Sequence, residues 1–289
     1  MTGAAEPGHR RSTRLGGWLI LQAVLGGSLL ALFVLPIAAL FAEAPGRLGV
    51  AFRDPTVWAS ISVTFYASAV CVLVAAALGI PLGYLLARRA FRGRAIVESL
   101  VAIPVVVPHL LVGFGLFLLF VPGTPLYRFS TAIGLPVYYS IAGVVLVMVF
   151  VSAPYTVLAS DLAFRAVDVR TIEAARSLGA DAPDAFVTVT LPTALRGIVA
   201  GLLLTWARAV SEIGGILILA AWVDPGGFYA GPVTTTVSVF VYNLFQIGDL
   251  ADAAAVSSLF LLIAFALFVA VRLGERYGRL PWGRGELAP

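Results

Sequence analysis

The chain has 289 residues, 60% of them hydrophobic and only 12% charged, with a formal net charge of +4. A mean hydropathy of +0.99 is far above what a water-soluble core needs, which turns the reading from soluble domains to an integral membrane protein. Long apolar runs, rather than the short alternating segments of a membrane β-barrel, make it an all-α one.

All 19 basic side chains are arginine, clustered between apolar runs, a pattern that fits lipid headgroups and topology and not nucleic acid. Residues 1–17 are a polar tail with His9, Arg10, Arg11 and Arg14. The first apolar run covers residues 18–42. Ala42, Glu43 and Ala44 resemble a signal-peptidase site, but the run exceeds the ~7–15 residues of a signal core, so an uncleaved first span is expected. The second run, 57–87, holds the single cysteine, Cys71, read as a small buried hydrophobe with no internal disulfide open to it. Arg88, Arg89, Arg92 and Arg94 close it.

The third run is 96–121 and the fourth 137–162. A polar insert, 163–193, separates the fourth from the fifth, 194–222. The sixth, 250–271, leads into a tail, 272–289, with Arg272, Arg276, Arg279 and Arg284. Residues 232–248 are too short for a comfortable span, and two readings stay open: a re-entrant or outer-leaflet helix lining a cavity, or an external amphipathic loop. With the amino terminus inside, the arginines of both tails, of 88–94 and of the insert fall in the cytoplasm, against Arg47, Arg53 and Arg128 outside. The positive-inside rule then predicts about six transmembrane helices with both termini cytoplasmic.

The insert has its own punctuation. Asp168 is placed to cap a helix over 169–178, Gly179 to end it with φ > 0, and Asp181 or Asp184 to start a second short helix. Leu191-Pro192 sets the start of the fifth span, where proline is tolerated in the first turn. Ile172, Ala175 and Leu178 form a narrow apolar stripe beside Glu173 and Arg176. The pattern is a helix–turn–helix-like elbow on the membrane face. Two roles fit: a connector packed on its own bundle, or a dock for a cytoplasmic partner.

The elbow carries Glu173-Ala174-Ala175, three residues, Gly179, nine residues, Val189, one residue, then Leu191-Pro192. That register resembles the signature of the permease subunits of type-1 ABC importers, with Val189 in place of the more usual Ile. The resemblance covers residues 57–271. It implies that the elbow is a coupling helix seated in a groove of an ATP-binding subunit, that an external substrate-binding protein delivers the cargo, and that two copies form a homodimer around one path in the cell (inner) membrane. No G-x-x-x-x-G-K-[ST] loop occurs in the chain, so ATP and Mg are expected on the partner ATPase. Residues 99–120 are similar to the proline-rich third span of oxyanion permeases, and His109, after their second proline, looks like the tungstate and molybdate branch. Residues 207–220, with Ile213 replacing the usual Phe, resemble the molybdate and tungstate branch. Sulfate, iron and thiamine permeases share parts of these segments.

A dianion crossing a low-dielectric slab needs a wet path, for which Thr234, Thr235, Thr236, Ser238 and Asn243 offer hydroxyls and an amide. Arg208 and Glu212 stand four residues apart in an apolar run, as a structural ion pair or a gate. His109, beside Pro108, suits either a kink or the path. Gly79-x-x-x-Gly83 and Gly197-x-x-x-Gly201 allow close helix packing. Glu43 and Glu98 read as interfacial, without a role. Rival classes are a channel or secondary transporter, which leaves the elbow register unexplained, and a membrane enzyme. The latter lacks support, since His9 and His109 are the only histidines and no catalytic or metal-ligating motif is present.

Overall fold

Asp54 accepts the N–H of Thr56 at 2.8 Å, Ser140 accepts that of Gly143 at 3.2 Å, and long apolar runs follow each cap. In the computed structural model, which describes residues 9–224 and 229–276, these runs are helices. In chain order they are α1 (His9–Glu43), α2 (Leu48–Arg53), α3 (Pro55–Arg88), α4 (Arg94–Val106), α5 (His109–Phe120), α6 (Pro125–Ala132) and α7 (Ile141–Arg165). The elbow follows as α8 (Val169–Ser177) and α9 (Ala182–Ala185), then a π-helical turn (Phe186–Thr190). The rest is α10 (Leu191–Val210), α11 (Gly214–Leu219), α12 (Val237–Gln246) and α13 (Leu250–Arg276). Residues 1–8 and 277–289 of the expected tails lie outside the described residues.

Among the described residues five helices are long and apolar enough to cross a membrane, or six if α4 and α5 form one bent span. The run 96–121, read as one span, is bent by 110° between them. Pro108 has no N–H to continue α4, and it holds Val107 extended at ψ 133°, so the helix stops and restarts in a new direction. The run 194–222 is also divided. α10 ends at Val210, and Ser211–Ile213 leave helical geometry before the short α11. For 232–248, Thr234 pairs with Val223 through two backbone bonds of 2.8 and 3.3 Å, and α12 then packs on α3 and α13. With 10 residues α12 reaches about 15 Å, half of a hydrocarbon core.

α7 is the axis of the fold. Its inner residues Val144, Val147, Met148 and Val151 join Cys71 of α3 and Ile216 of α11 in the largest buried cluster. Cys71 is fully buried there, as a small hydrophobe. On its two flanks α7 meets glycine. A Cβ added at Gly83 of α3 would lie 2.6 Å from the Cβ of Ser160, and one at Gly201 of α10 would lie 2.3 Å from that of Ala159. Real Cβ atoms do not approach so closely, so glycine here lets three backbones pack side by side. Thr156 and Thr205 hydrogen-bond across the α7–α10 seam at 2.7 Å. At the elbow end, Phe164, Val167, Ala194 and Ile198 form a second cluster, with Tyr84 edge-on to Phe164 and Phe186. α1 packs on α13, but none of its most apolar window is buried.

Candidate functional site

The elbow is built as its punctuation predicts. The Asp168 carboxylate accepts the N–H of Arg170 at 2.9 Å and starts α8. Gly179 adopts φ +99°, donates to Arg176 O at 3.1 Å, and Ala180 donates to Ala175 O at 3.1 Å. That pair of bonds is a Schellman closure, which needs a left-handed residue at the glycine position. Asp181 then accepts the N–H of Asp184 at 2.8 Å and opens α9. Glu173, Ala174 and Ala175 lie on α8, none of them buried, and Leu191-Pro192 begins α10. The apolar stripe divides: Ile172 packs on the elbow-end cluster, while Leu178 points away and is 90% exposed. An isolated exposed leucine is ordinary. Here it follows the last turn of an exposed helix between two membrane spans.

The neck of the elbow is held by arginines that the sequence reading used only for topology and by Glu98, which it left without a role. Arg88, at the end of α3, donates from Nη2 to Val167 O at 3.0 Å, just before α8. Arg165, at the end of α7, pairs with Asp161 at 2.8 Å and Glu98 of α4 at 3.4 Å. Glu98 also accepts from Arg94 at 2.9 Å. The Arg94–Glu98 spacing was visible in sequence, but the partner 67 residues away was not.

A second polar site lies where both divided spans break. Glu212, just past the end of α10, is 1% exposed. Its Oε2 accepts from Arg208 Nη2 at 2.8 Å and its Oε1 accepts the N–H of Gly215 at 2.9 Å, capping α11. His109, the first residue of α5, brings its ring nitrogens within 2.8 and 2.6 Å of the same Arg208 nitrogen, and its Nδ1 within 3.7 Å of Glu212. One ring nitrogen accepts from the guanidinium when the imidazole is neutral. Gly113 of α5 and Gly215 of α11 are in backbone contact beside this triad: a Cβ on Gly113 would fall 2.6 Å from both Gly215 Cα and O. The structure thus joins His109, Arg208 and Glu212, which are up to about a hundred positions apart in sequence.

The hydroxyl-bearing segment lies elsewhere. Thr235 is buried and donates to Ala221 O at 2.7 Å, and Thr234 meets Ser60 at 3.3 Å. Thr236 is buried with no hydrogen-bond partner for its hydroxyl among the described residues. Thr64 Oγ1 takes the N–H of Val237 at 2.9 Å. Asn243 is half-buried on α12. Ser238 lines an open, mainly apolar cavity of about 600 Å³ between α1, α12 and α13, with Glu43, Tyr242, Ser257 and Ile213, the neighbour of Glu212. Neither Thr235 nor Asn243 lines that cavity.

The comparisons agree with this architecture. The chain is 35% identical to the molybdate/tungstate transport system permease protein WtpB of Thermococcus kodakarensis, over 88% of this chain and 94% of that one. It is 35% identical to a probable molybdenum ABC transporter permease protein of Haloferax volcanii, over 92% of each. With the molybdenum transport system permease protein ModB of Escherichia coli K12 it shares 33% identity, over 67% of this chain and 81% of that one. Among solved structures, a chain of the bacterial alginate ABC transporter matches with a TM-score of 0.72 at 18% identity, covering 94% of this chain and 98% of that one. A chain of the MetNI methionine ABC transporter matches at 0.58 and 19%, covering 78% and 95%. These likenesses show the type-1 ABC importer permease fold. The family described as binding-protein-dependent transport system inner membrane component matches residues 79–278, and the chain belongs to that family, as a multi-pass protein of the inner membrane.

Proposed function

We propose that this chain is the permease subunit of an ATP-driven importer and forms half of the translocation path for a tetrahedral oxyanion, molybdate or tungstate. The observation that carries the reading is the elbow: a capped, exposed helix with the Glu173-Ala174-Ala175, Gly179 and Leu191-Pro192 register, continuous through a π-helical turn with a membrane span. Glu173, Ala174, Ala175 and Gly179 form its coupling surface toward an ABC ATPase, with Leu178 at the tip. ATP and Mg belong to that partner, and the chain itself performs no catalysis. An external substrate-binding protein presents the cargo at the opposite end.

The cargo class rests on the relatives' names and on the His109–Arg208–Glu212 triad. It joins two broken helices in the apolar part of the fold, as a gate whose charges are balanced when closed. Thr235 and Asn243, with their neighbours, support or border the path. The elbow end is cytoplasmic, since it gathers Arg88, Arg89, Arg92, Arg94, Arg165, Arg170 and Arg176, against Arg47, Arg53 and Arg128 at the other end. Both termini then lie in the cytoplasm. A single half-path implies a homodimer.

The test is co-purification of the tagged chain with its ATPase, wild type beside Gly179→Trp, followed by uptake in vesicles. Retention by the wild type and loss in the variant is expected, with uptake of labelled molybdate competed by tungstate. A well-folded wild type that holds no ATPase returns a channel or secondary transporter. Uptake competed by sulfate but by neither metal oxyanion overturns the cargo.

A further inference from the structure

α3, α7 and α10 form one block. Glycines on either flank of α7 leave no room for sliding, since added Cβ atoms would overlap Ser160 on one side and Ala159 and Ala163 on the other. The Thr156–Thr205 bond and Thr205 Oγ1 donating to Ser152 O at 3.2 Å pin the α7–α10 seam. The elbow belongs to this block, because α7 leads into it and α10 out of it. Arg88 fastens α3 to its neck at Val167.

α4 does not belong to the block in the same way. Of its 13 residues only Pro104 is buried. Besides its packing on α7, the N-terminal part of α4 is tied there by one carboxylate: Glu98 bridges Arg94 of its own helix and Arg165 of α7, which Asp161 holds from the other side. About 15 Å further along, ten residues at the helical rise, comes the bend at Pro108. There His109 touches Arg208 of α10. The bent span therefore meets the block through this polar contact beside the elbow, along the packing of α4 on α7, and at its α5 end through the buried triad and the apolar packing of Val112 and Leu116, with a proline bend between.

On the reading that this chain is an ATP-coupled permease, we infer that Glu98 is a positioning residue that steers the bent span. When the elbow block is displaced, the Arg165–Glu98 contact carries α4 with it. The Pro108 bend converts that into movement of His109 against Arg208 and Glu212. Without Glu98 α4 follows the block only through its packing on α7, and lags behind it. The contact is partly exposed, so it adds little to stability. Its effect is on the correlation of two bodies, and this separates a steering role from a merely structural one.

The experiment uses the full chain with its ATPase in lipid nanodiscs, with spin labels at the exposed residues Ser99 of α4 and Ser177 of α8, in wild type, Glu98→Gln, and the charge-reversed pair Glu98→Arg with Arg165→Glu. The wild type should give a narrow Ser99–Ser177 distance distribution, similar without nucleotide and with ATP-Mg-vanadate. Glu98→Gln should broaden it while keeping thermal stability, ATPase association and basal ATP hydrolysis, and the reversed pair should narrow it again. In vesicles, molybdate moved per ATP hydrolysed should fall by up to about fivefold in Glu98→Gln. A Glu98→Gln distribution as narrow as wild type overturns the inference, as does broadening that the reversed pair leaves unrepaired, or a loss of stability and association that accounts for the change. A wild type that binds no ATPase overturns the importer reading instead, and the label widths still report whether Glu98 holds α4.

Discussion

Arg208 and Glu212 meet at 2.8 Å across a point where the helix that carries Arg208 has already ended. Glu212 is thus not a mid-helix partner one turn on. It is a buried carboxylate that takes one bond from the guanidinium behind it and another from the backbone of the helix ahead. Arg208→Met should strand that carboxylate and destabilise the chain by about 3–5 kcal/mol. Arg208→Lys, which keeps the charge, should lose less. Thermal unfolding in detergent measures both, and an unchanged midpoint for Arg208→Met would show that the pair is not what neutralises Glu212.

Gly179 presents a purely conformational test. Nothing lies within 4 Å of a Cβ added there, so any cost of substitution comes from φ +99° alone. Gly179→Val should distort the turn at a cost of about 1–2 kcal/mol, whereas Gly179→Asn, which tolerates the left-handed region, should retain most ATPase binding. A pull-down with the ATPase ranks the three. Equal retention by Val and Asn would mean that the turn geometry is not what the partner reads.

Leu178 should contribute to binding and not to folding. At 90% exposure it has little to lose in the free chain. If the partner buries it, Leu178→Asp should weaken ATPase affinity about ten- to a hundredfold, the worth of one buried leucine, with no shift in thermal midpoint. Unaltered affinity would place the partner's groove elsewhere along α8.

Gly113 and Gly115 give a matched pair on α5. The first faces the backbone of Gly215, which cannot rotate away, and the second faces open space. Gly113→Ala should part α5 from α11 and destabilise by about 1–3 kcal/mol, while Gly115→Ala should be close to neutral. Unfolding midpoints decide the comparison, and equal effects would show that the crossing tolerates a wider separation.

What was legible in the sequence was local. Asp168, Gly179 and Asp181 declare the elbow because a cap acts within three or four residues of itself. Apolar length likewise declares α3, α7 and α13. The breaks were harder. Hydropathy sums over a run and carries no direction, so 96–121 and 194–222 each read as one span. Pro108 was in plain view, but the size of its 110° turn was not, and the close approach of Gly113 to Gly215 beside it joins residues about a hundred positions apart. Arg208 and Glu212 were paired by spacing. His109 joined them only through the bend, and the partnership of Glu98 with Arg165 left no trace in either neighbourhood.

The length of α3 has a consequence of its own. Its 34 residues extend about 51 Å, against a hydrocarbon core of ~30 Å. Such an excess is taken up by tilt or by projection beyond the bilayer, and projection at the end where Arg88 grips Val167 would let the depth of α3 set the standoff between membrane and elbow. A thicker bilayer would draw that overhang inward until the arginines at its end resist, and a thinner one would release it or tilt the helix. The height of the elbow above the membrane would therefore be a property of the lipid as well as of the chain.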